Sequence, residues 1–265
     1  MPFAHAPDGA RIYFEAHGSG EPLLLVAGRA VDHNLWNLIR GDFEKRYRVI
    51  VYDHRGTGQS DKPEAPPYST IGFAQDAVAV LDSAGVARAH VYGVSMGARI
   101  GQWLGINHGD RVGALVLACG SPGGENAVRP TEDMRALLEK SDQPEVLDAF
   151  FSRRSALPGF YLSMRPAAKF PIPDHAEKLH AQASLAHDAW DRLPEISAPT
   201  LILSGIDDPI VPVRNAYLLA DRIPGAELYL VPRGRHMFFL EYRKEVDREV
   251  NKFLARHALK NQASE

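Results

Sequence analysis

The chain holds one cysteine in 265 residues, Cys119, so no disulfide within the chain is available to support the fold. Cys119 ends the apolar run Ala114-Leu115-Val116-Leu117-Ala118. That is the setting of an inert buried thiol, since a reactive one needs exposure and nearby positive charge. An excess of charge of one sign is also missing. Thirty Lys and Arg stand against 33 Asp and Glu, a net charge of −3, which excludes the basic footprint of an electrostatic nucleic-acid binder. No apolar run approaches the ~20 residues that span a bilayer. The N-terminal stretch Met1-Pro2-Phe3-Ala4-His5 lacks the basic region and apolar core of a secretory signal. These absences predict a cytoplasmic protein with neither membrane nor nucleic acid as partner. His54, His90, His108, His180 and His187 show no metal-ligand spacing such as H-E-x-x-H. Gly56-Thr57-Gly58 lacks the third glycine of a dinucleotide fingerprint. No metal and no cofactor is therefore expected. The length suits one domain with a large core, and 45% hydrophobic residues are enough to fill it.

The sharpest positive signal is Gly93-Val94-Ser95-Met96-Gly97, which fits G-x-S-x-G. Ala89-His90-Val91-Tyr92 before it predicts a strand, and Ala98 to Leu104 after it predicts a helix. A tight strand-to-helix turn lifts the serine hydroxyl clear of the sheet, and the flanking glycines remove Cβ atoms that would block it. A glycine-rich turn with a surface serine would share the five residues but not this context. A serine nucleophile needs a base, and the base an orienting acid. The elbow predicts the chain order Ser, then Asp or Glu, then His. An apolar strand at 199–205 runs into Asp207-Asp208, and a strand at 226–231 runs into a loop carrying His236. Both sites follow strand C-termini, where α/β sheets carry their ligands. Taken singly, Asp208 could be an N-cap and His236 one of 11 histidines; the joint order favours a triad.

Elsewhere strands and helices alternate, which predicts a mostly parallel sheet with helices on both faces. Further strands are expected at 11–16, 23–27, 48–52 and 112–119, and a helix at 35–46. Ser69 or Thr70 can cap a helix with Phe73, Ala77, Val80 and Leu81 on its apolar face, stopped by Gly85. From 122 to 197 the alternation breaks. Segments 132–140, 144–155, 174–186 and 189–193 read as helices separated by prolines.

Over nearly its whole length the chain resembles the α/β-hydrolase fold superfamily. Besides the triad, Leu23 to Arg29 followed by Trp36 is similar to the family's strand, oxyanion loop and downstream tryptophan. Asp53-His54-Arg55-Gly56-Thr57-Gly58-Gln59-Ser60 is similar to its D-x-R-G-x-G-x-S segment, in which the aspartate is usually structural. Ile100-Gly101-Gln102-Trp103-Leu104 resembles the enol-lactonases and their esterase-like relatives. The resemblance implies a core of residues 1–121 and 196–265 and a helical cap insertion at 122–195. The family's spacing makes Asp208 the acid and Asp207 a turn residue. The oxyanion hole would use the backbone N–H groups of Arg29 and Met96. One departure stands out: Ala27-Gly28 replaces the usual His-Gly, so the loop lacks its bracing histidine.

The cap would set specificity. Phe160, Met164 and Trp190, with Met237 beside the base, are the candidates for substrate contact. Phe150, Phe151, Tyr161, Leu162 and Phe170 could also line an apolar pocket, and Arg153, Arg154 and Arg165 could hold a carboxylate. Plain packing, or a solvated charged face, is the commoner fate of such residues. The implied activity is a serine hydrolase for a small-molecule carboxylic ester or lactone, working through an acyl-enzyme as a monomer or homodimer. A C–C bond hydrolase, a perhydrolase and a slow-hydrolysing ligand receptor of the same fold remain as alternatives, since fold alone does not settle function.

Overall fold

The computed structural model describes residues 3–65, 68–139, 144–152 and 170–259. Phe160, Tyr161, Leu162 and Met164, together with Arg153, Arg154 and Arg165, lie outside the described residues. Eight strands form one sheet: β1 (Phe3–His5), β2 (Arg11–His17), β3 (Glu21–Val26), β4 (Tyr47–Tyr52), β5 (Ala89–Val94), β6 (Val112–Ala118), β7 (Thr200–Gly205) and β8 (Glu227–Val231). Their order is β1-β2-β4-β3-β5-β6-β7-β8. β1 and β2 enter antiparallel, and from β4 to β8 every pairing is parallel. The chain leaves β3 toward one edge of the sheet and leaves β5 toward the other. Adjacent parallel strands whose connections diverge open a crevice at their C-terminal ends. The loop carrying Arg29 follows β3, and Ser95 follows β5.

The helices are α1 (Arg40–Phe43), α2 (Thr70–Ser83), α3 (Met96–Asn107), α4 (Glu132–Glu139), α5 (Pro144–Phe150), α6 (Asp174–Leu185), α7 (Arg214–Arg222), α8 (Phe238–Glu241) and α9 (Arg243–Arg256). The period of two along β3 divides the core. Leu24 and Val26 join Phe73, Val80 and Ile100 on the α2–α3 face. Leu23 and Leu25 join Trp36, Val250 and Phe253 on the α9 face. Ser69 caps α2, its hydroxyl accepting the Gly72 N–H at 2.9 Å. Between β6 and β7 lie α4, α5, α6 and the 3-10 helix Trp190–Glu195, with no strand among the described residues.

Three expectations need adjustment. The helix foreseen at 35–46 is two pieces, a 3-10 helix His33–Leu38 and the short α1. Its start is pinned from outside, because the His33 N–H and ring both donate to Asp53. The helix foreseen at 144–155 ends at Phe150, after which the Ser152 N–H and hydroxyl bond to Glu241 instead. Cys119 lies just beyond β6 at φ 44° and is buried, which pushes its thiol well above the ordinary range.

α9 buries Val246, Val250, Phe253 and Leu254, and Asp247 lies within the same stripe at 5% exposure. Neither carboxylate oxygen has a hydrogen-bond partner among the described residues. Burial raises this carboxyl to about 7, Asp42 adds to the shift and Arg243 opposes it. In the unfolded chain an Asp titrates near ~3.9. The folded state therefore holds the extra proton between those values, and stability falls as pH rises from about 4 through about 7,. At about 1.4 kcal/mol per unit the penalty above neutrality is a few kcal/mol. Asp247→Asn should therefore raise Tm more at pH 8.5 than at pH 5, by roughly 5 °C or more for a chain of this size. Equal Tm changes at the two pH values in a thermal melt would show that Asp247 does not titrate with folding.

Candidate functional site

The turn from β5 into α3 is as tight as its glycines predict. A Cβ built on Gly93 would lie 2.2 Å from the Gly97 carbonyl oxygen, and one on Gly97 would lie 2.1 Å from the Val26 carbonyl oxygen. Ser95 sits at φ 56°, ψ −116°, a conformation that costs an ordinary residue on the order of 1–3 kcal/mol. Its N–H donates to the Ala118 carbonyl at 2.9 Å. The hydroxyl rises at the crevice, and α3 leaves from behind it.

His236 approaches from the loop after β8. Its Nε2 is 3.0 Å from Ser95 Oγ, and its Nδ1 is 2.8 Å from Asp208 Oδ2. Asp208 follows β7, and its other oxygen accepts the N–H groups of Ile210 at 2.8 Å and Val211 at 2.9 Å. A carboxylate so placed takes the Nδ1–H and leaves Nε2 free to accept the serine proton. Both His236 and Asp208 are 4% exposed, so water competes little for these bonds. Asp207 is exposed, and its N–H donates to the Gly234 carbonyl, tying its loop to the one that carries His236.

Met96 opens α3, so its N–H is among the four that a helix leaves without an internal acceptor. The Arg29 N–H, just past Gly28, has no acceptor among the described residues. Gly28 lies against the elbow, where an added Cβ would be 3.5 Å from Ser95 Cβ. The loop is braced although Ala27 cannot brace it. His54 Nε2–H donates to the Ala27 carbonyl at 3.0 Å. The Ala30 N–H donates to His180 Nδ1 at 3.3 Å, and His180 Nε2–H in turn donates to the Arg55 carbonyl at 2.7 Å. Arg55 is itself held between Asp8 and Asp76, each at 2.6 Å. Burial, reinforced by the neighbouring His180, pushes His54 down to about 4, and burial does the same to His180. Both rings therefore stay neutral at physiological pH, as acceptance by His180 Nδ1 requires. Asp53 anchors the far end of the loop through His33. Burial works to raise the Asp53 carboxyl, but the His33 bond and charge, with the Gln59 N–H, hold it below the usual range.

The segment between β6 and β7 reaches His236 directly. The Phe150 ring lies 5.8 Å from the His236 ring, and the Met237 N–H donates to the Phe150 carbonyl at 2.8 Å. Arg235 donates to the Asp148 carbonyl. Met237 is thus held beside His236, its side chain half-buried against the core. Trp190 is placed differently: the Arg222 guanidinium lies 4.7 Å over its ring and donates to its carbonyl. The bracing pair His54 and His180 was not foreseen. Two histidines far apart in the chain carry no shared spacing, and the only local hint was His54 directly after a strand-end aspartate.

Comparison with known proteins agrees with this architecture. Residues 21–161 match the family model for the alpha/beta hydrolase fold, and residues 179–265 match that of a TAP-like protein. The chain is 31% identical over 260 residues to "Putative carbamate hydrolase RutD" of Azorhizobium caulinodans, covering 90% of this chain and 92% of that one. It is 32% identical over 266 residues to 2-hydroxymuconate semialdehyde hydrolase of Pseudomonas sp. (strain CF600), covering 93% and 91%. Among solved structures, an N-acyl homoserine lactone degrading enzyme superposes with a TM-score of 0.80 at 30% identity, over 95% of this chain and 100% of that one. With a matched family model over more than half its length and hydrolases among its full-length relatives, the chain is a hydrolase belonging to the α/β-hydrolase fold family.

Proposed function

We propose that this hydrolase cleaves a carboxylic ester or lactone through an acyl-enzyme on Ser95, beneath a helical cap formed by residues 122–195. The observation that carries the reading is the relay itself: Ser95 Oγ, His236 and Asp208 joined by contacts of 3.0 and 2.8 Å. His236 Nε2 takes the hydroxyl proton as Oγ attacks the carbonyl carbon. Asp208 stabilises the imidazolium that forms, and the Met96 and Arg29 N–H groups receive the oxyanion. His236 then protonates the leaving alkoxide. Water, deprotonated by the same ring, hydrolyses the acyl group and restores Ser95. A carboxylate nucleophile, as alkyl-ester chemistry needs, is not what stands at the elbow.

One observation favours a second reading. The relative from Pseudomonas sp. carries the name of a semialdehyde hydrolase at 32% identity, and C–C bond hydrolysis of a vinylogous diketone could use the same three residues. A panel of short p-nitrophenyl esters, a lactone, a carbamate and a vinylogous 1,5-diketone separates the readings. The ester reading expects multiple turnover of the ester or lactone and a mass increase on Ser95 equal to the acyl group. Turnover of the diketone alone, with no acyl adduct from any ester, would transfer the assignment to C–C hydrolysis. A single stoichiometric burst with no turnover would mark a ligand receptor.

A further inference from the structure

Arg99 stands one turn after the nucleophile, its N–H donating to the Ser95 carbonyl at 3.3 Å. Its guanidinium points between α3 and α6. Nη1 donates to the Ser184 carbonyl and hydroxyl on α6, while Nε is buried with no acceptor among the described residues. No carboxylate is paired with this group among the described residues. The charge that acts on it most strongly after burial is another cation, Arg29, and together these lower it to about 10. Arg29 is exposed, follows the glycine that touches the elbow, and also forms no ion pair among the described residues. The same two cations press on the adjacent histidines, Arg29 on His180 and Arg99 on His187.

A guanidinium drawn partly out of water and left without an anion is costly, and burial of an ion is normally matched by a counter-charge. Arg55 in this same chain shows the usual solution, with Asp8 and Asp76 on either side. Arg99 has two neutral oxygens from Ser184 and a second positive charge nearby. We infer that Arg29 and Arg99 form a carboxylate subsite beside Ser95, so that the substrate is an ester or lactone carrying its own anionic group. This inference rests on Ser95 being the nucleophile. The guanidinium is suited to such a role because it is planar and can present two N–H groups to one carboxylate. Binding would supply the missing counter-charge and place the scissile carbonyl relative to the elbow at the same time.

The test compares mono-4-nitrophenyl glutarate with 4-nitrophenyl valerate, acyl chains of equal carbon number that differ in the terminal carboxylate. Wild type should prefer the glutarate half-ester. In Arg99→Met the ratio of KM values, half-ester over valerate, should rise roughly 10- to 100-fold, the scale for losing a hydrogen bond to a charged group. Valerate turnover serves as the internal reference. Free glutarate should inhibit valerate hydrolysis by wild type competitively, and less so in high salt. This last measurement needs no variant, so it decides the matter even where Arg99→Met fails to fold. An unchanged ratio, or wild type that glutarate does not inhibit, would overturn the subsite while leaving Ser95-dependent turnover in place. Turnover that survives Ser95→Ala would instead remove the hydrolase mechanism beneath it.

Discussion

Ser95→Ala is expected to fold like wild type and to lose on the order of 10⁴- to 10⁶-fold in kcat, the range seen when a triad member is removed from a serine hydrolase. The folding expectation follows from the backbone. Ser95 is held at φ 56° by the close approach of Gly93 and Gly97 to their neighbours, not by any bond of its hydroxyl within the turn. Alanine has the same Cβ and meets the same strain. What disappears is the atom 3.0 Å from His236 Nε2. A fluorophosphonate should add its mass to Ser95 in wild type and to no residue in the variant. Wild-type labelling at a different serine, together with an active Ser95→Ala, would end the mechanism.

Asp208→Asn should cost about 10⁴-fold in kcat, as the equivalent change did in a comparable triad. Asp207→Asn should stay within a few-fold. The two adjacent acids differ by geometry. Asp208 divides its oxygens between the His236 ring and the N–H groups of Ile210 and Val211. An amide there turns one acceptor into a donor, and the way to keep the contact is to reverse the imidazole. Nε2 then carries the proton and cannot take the one from Ser95. Asp207 is exposed, and its backbone N–H is spent on the Gly234 carbonyl. Steady-state rates with one neutral ester suffice for the comparison. Equal losses at the two positions, or a larger loss at Asp207, would show that the ring is oriented by something else.

Local features were legible in the sequence because local sterics and hydrogen bonding decide them. Gly93 and Gly97 announce the elbow since no Cβ fits where the chain crosses itself. Ser69 announces the start of α2 because its hydroxyl can satisfy an N–H that the helix leaves open. The alternation of Leu23, Leu24, Leu25 and Val26 between two buried faces is readable for a similar reason: a parallel strand covered on both sides is apolar throughout. The order of serine, acid and histidine was readable because each follows a strand, and strand ends fall at the same edge of a parallel sheet.

What the sequence left open depends on which distant segments meet. The continuous helix expected near 35–46 gives way because Asp53, from the next strand's end, captures His33. β1 is only three residues long and exists through its pairing with β2. The loop after β3 is supported by His54 and by His180, which is 150 residues from the Ala30 N–H it accepts. Arg99 reads as an ordinary residue of a helix until the fold packs it against Ser184 of α6 with no acid paired to it among the described residues. By itself, the sequence determined the fold class, the elbow and the chain order of the relay, all of which rest on backbone conformations that individual residues permit or forbid. Only the tertiary structure decided how the loop after β3 is braced and which charges among the described residues go unpaired, because those properties belong to the packing of segments that share no local pattern.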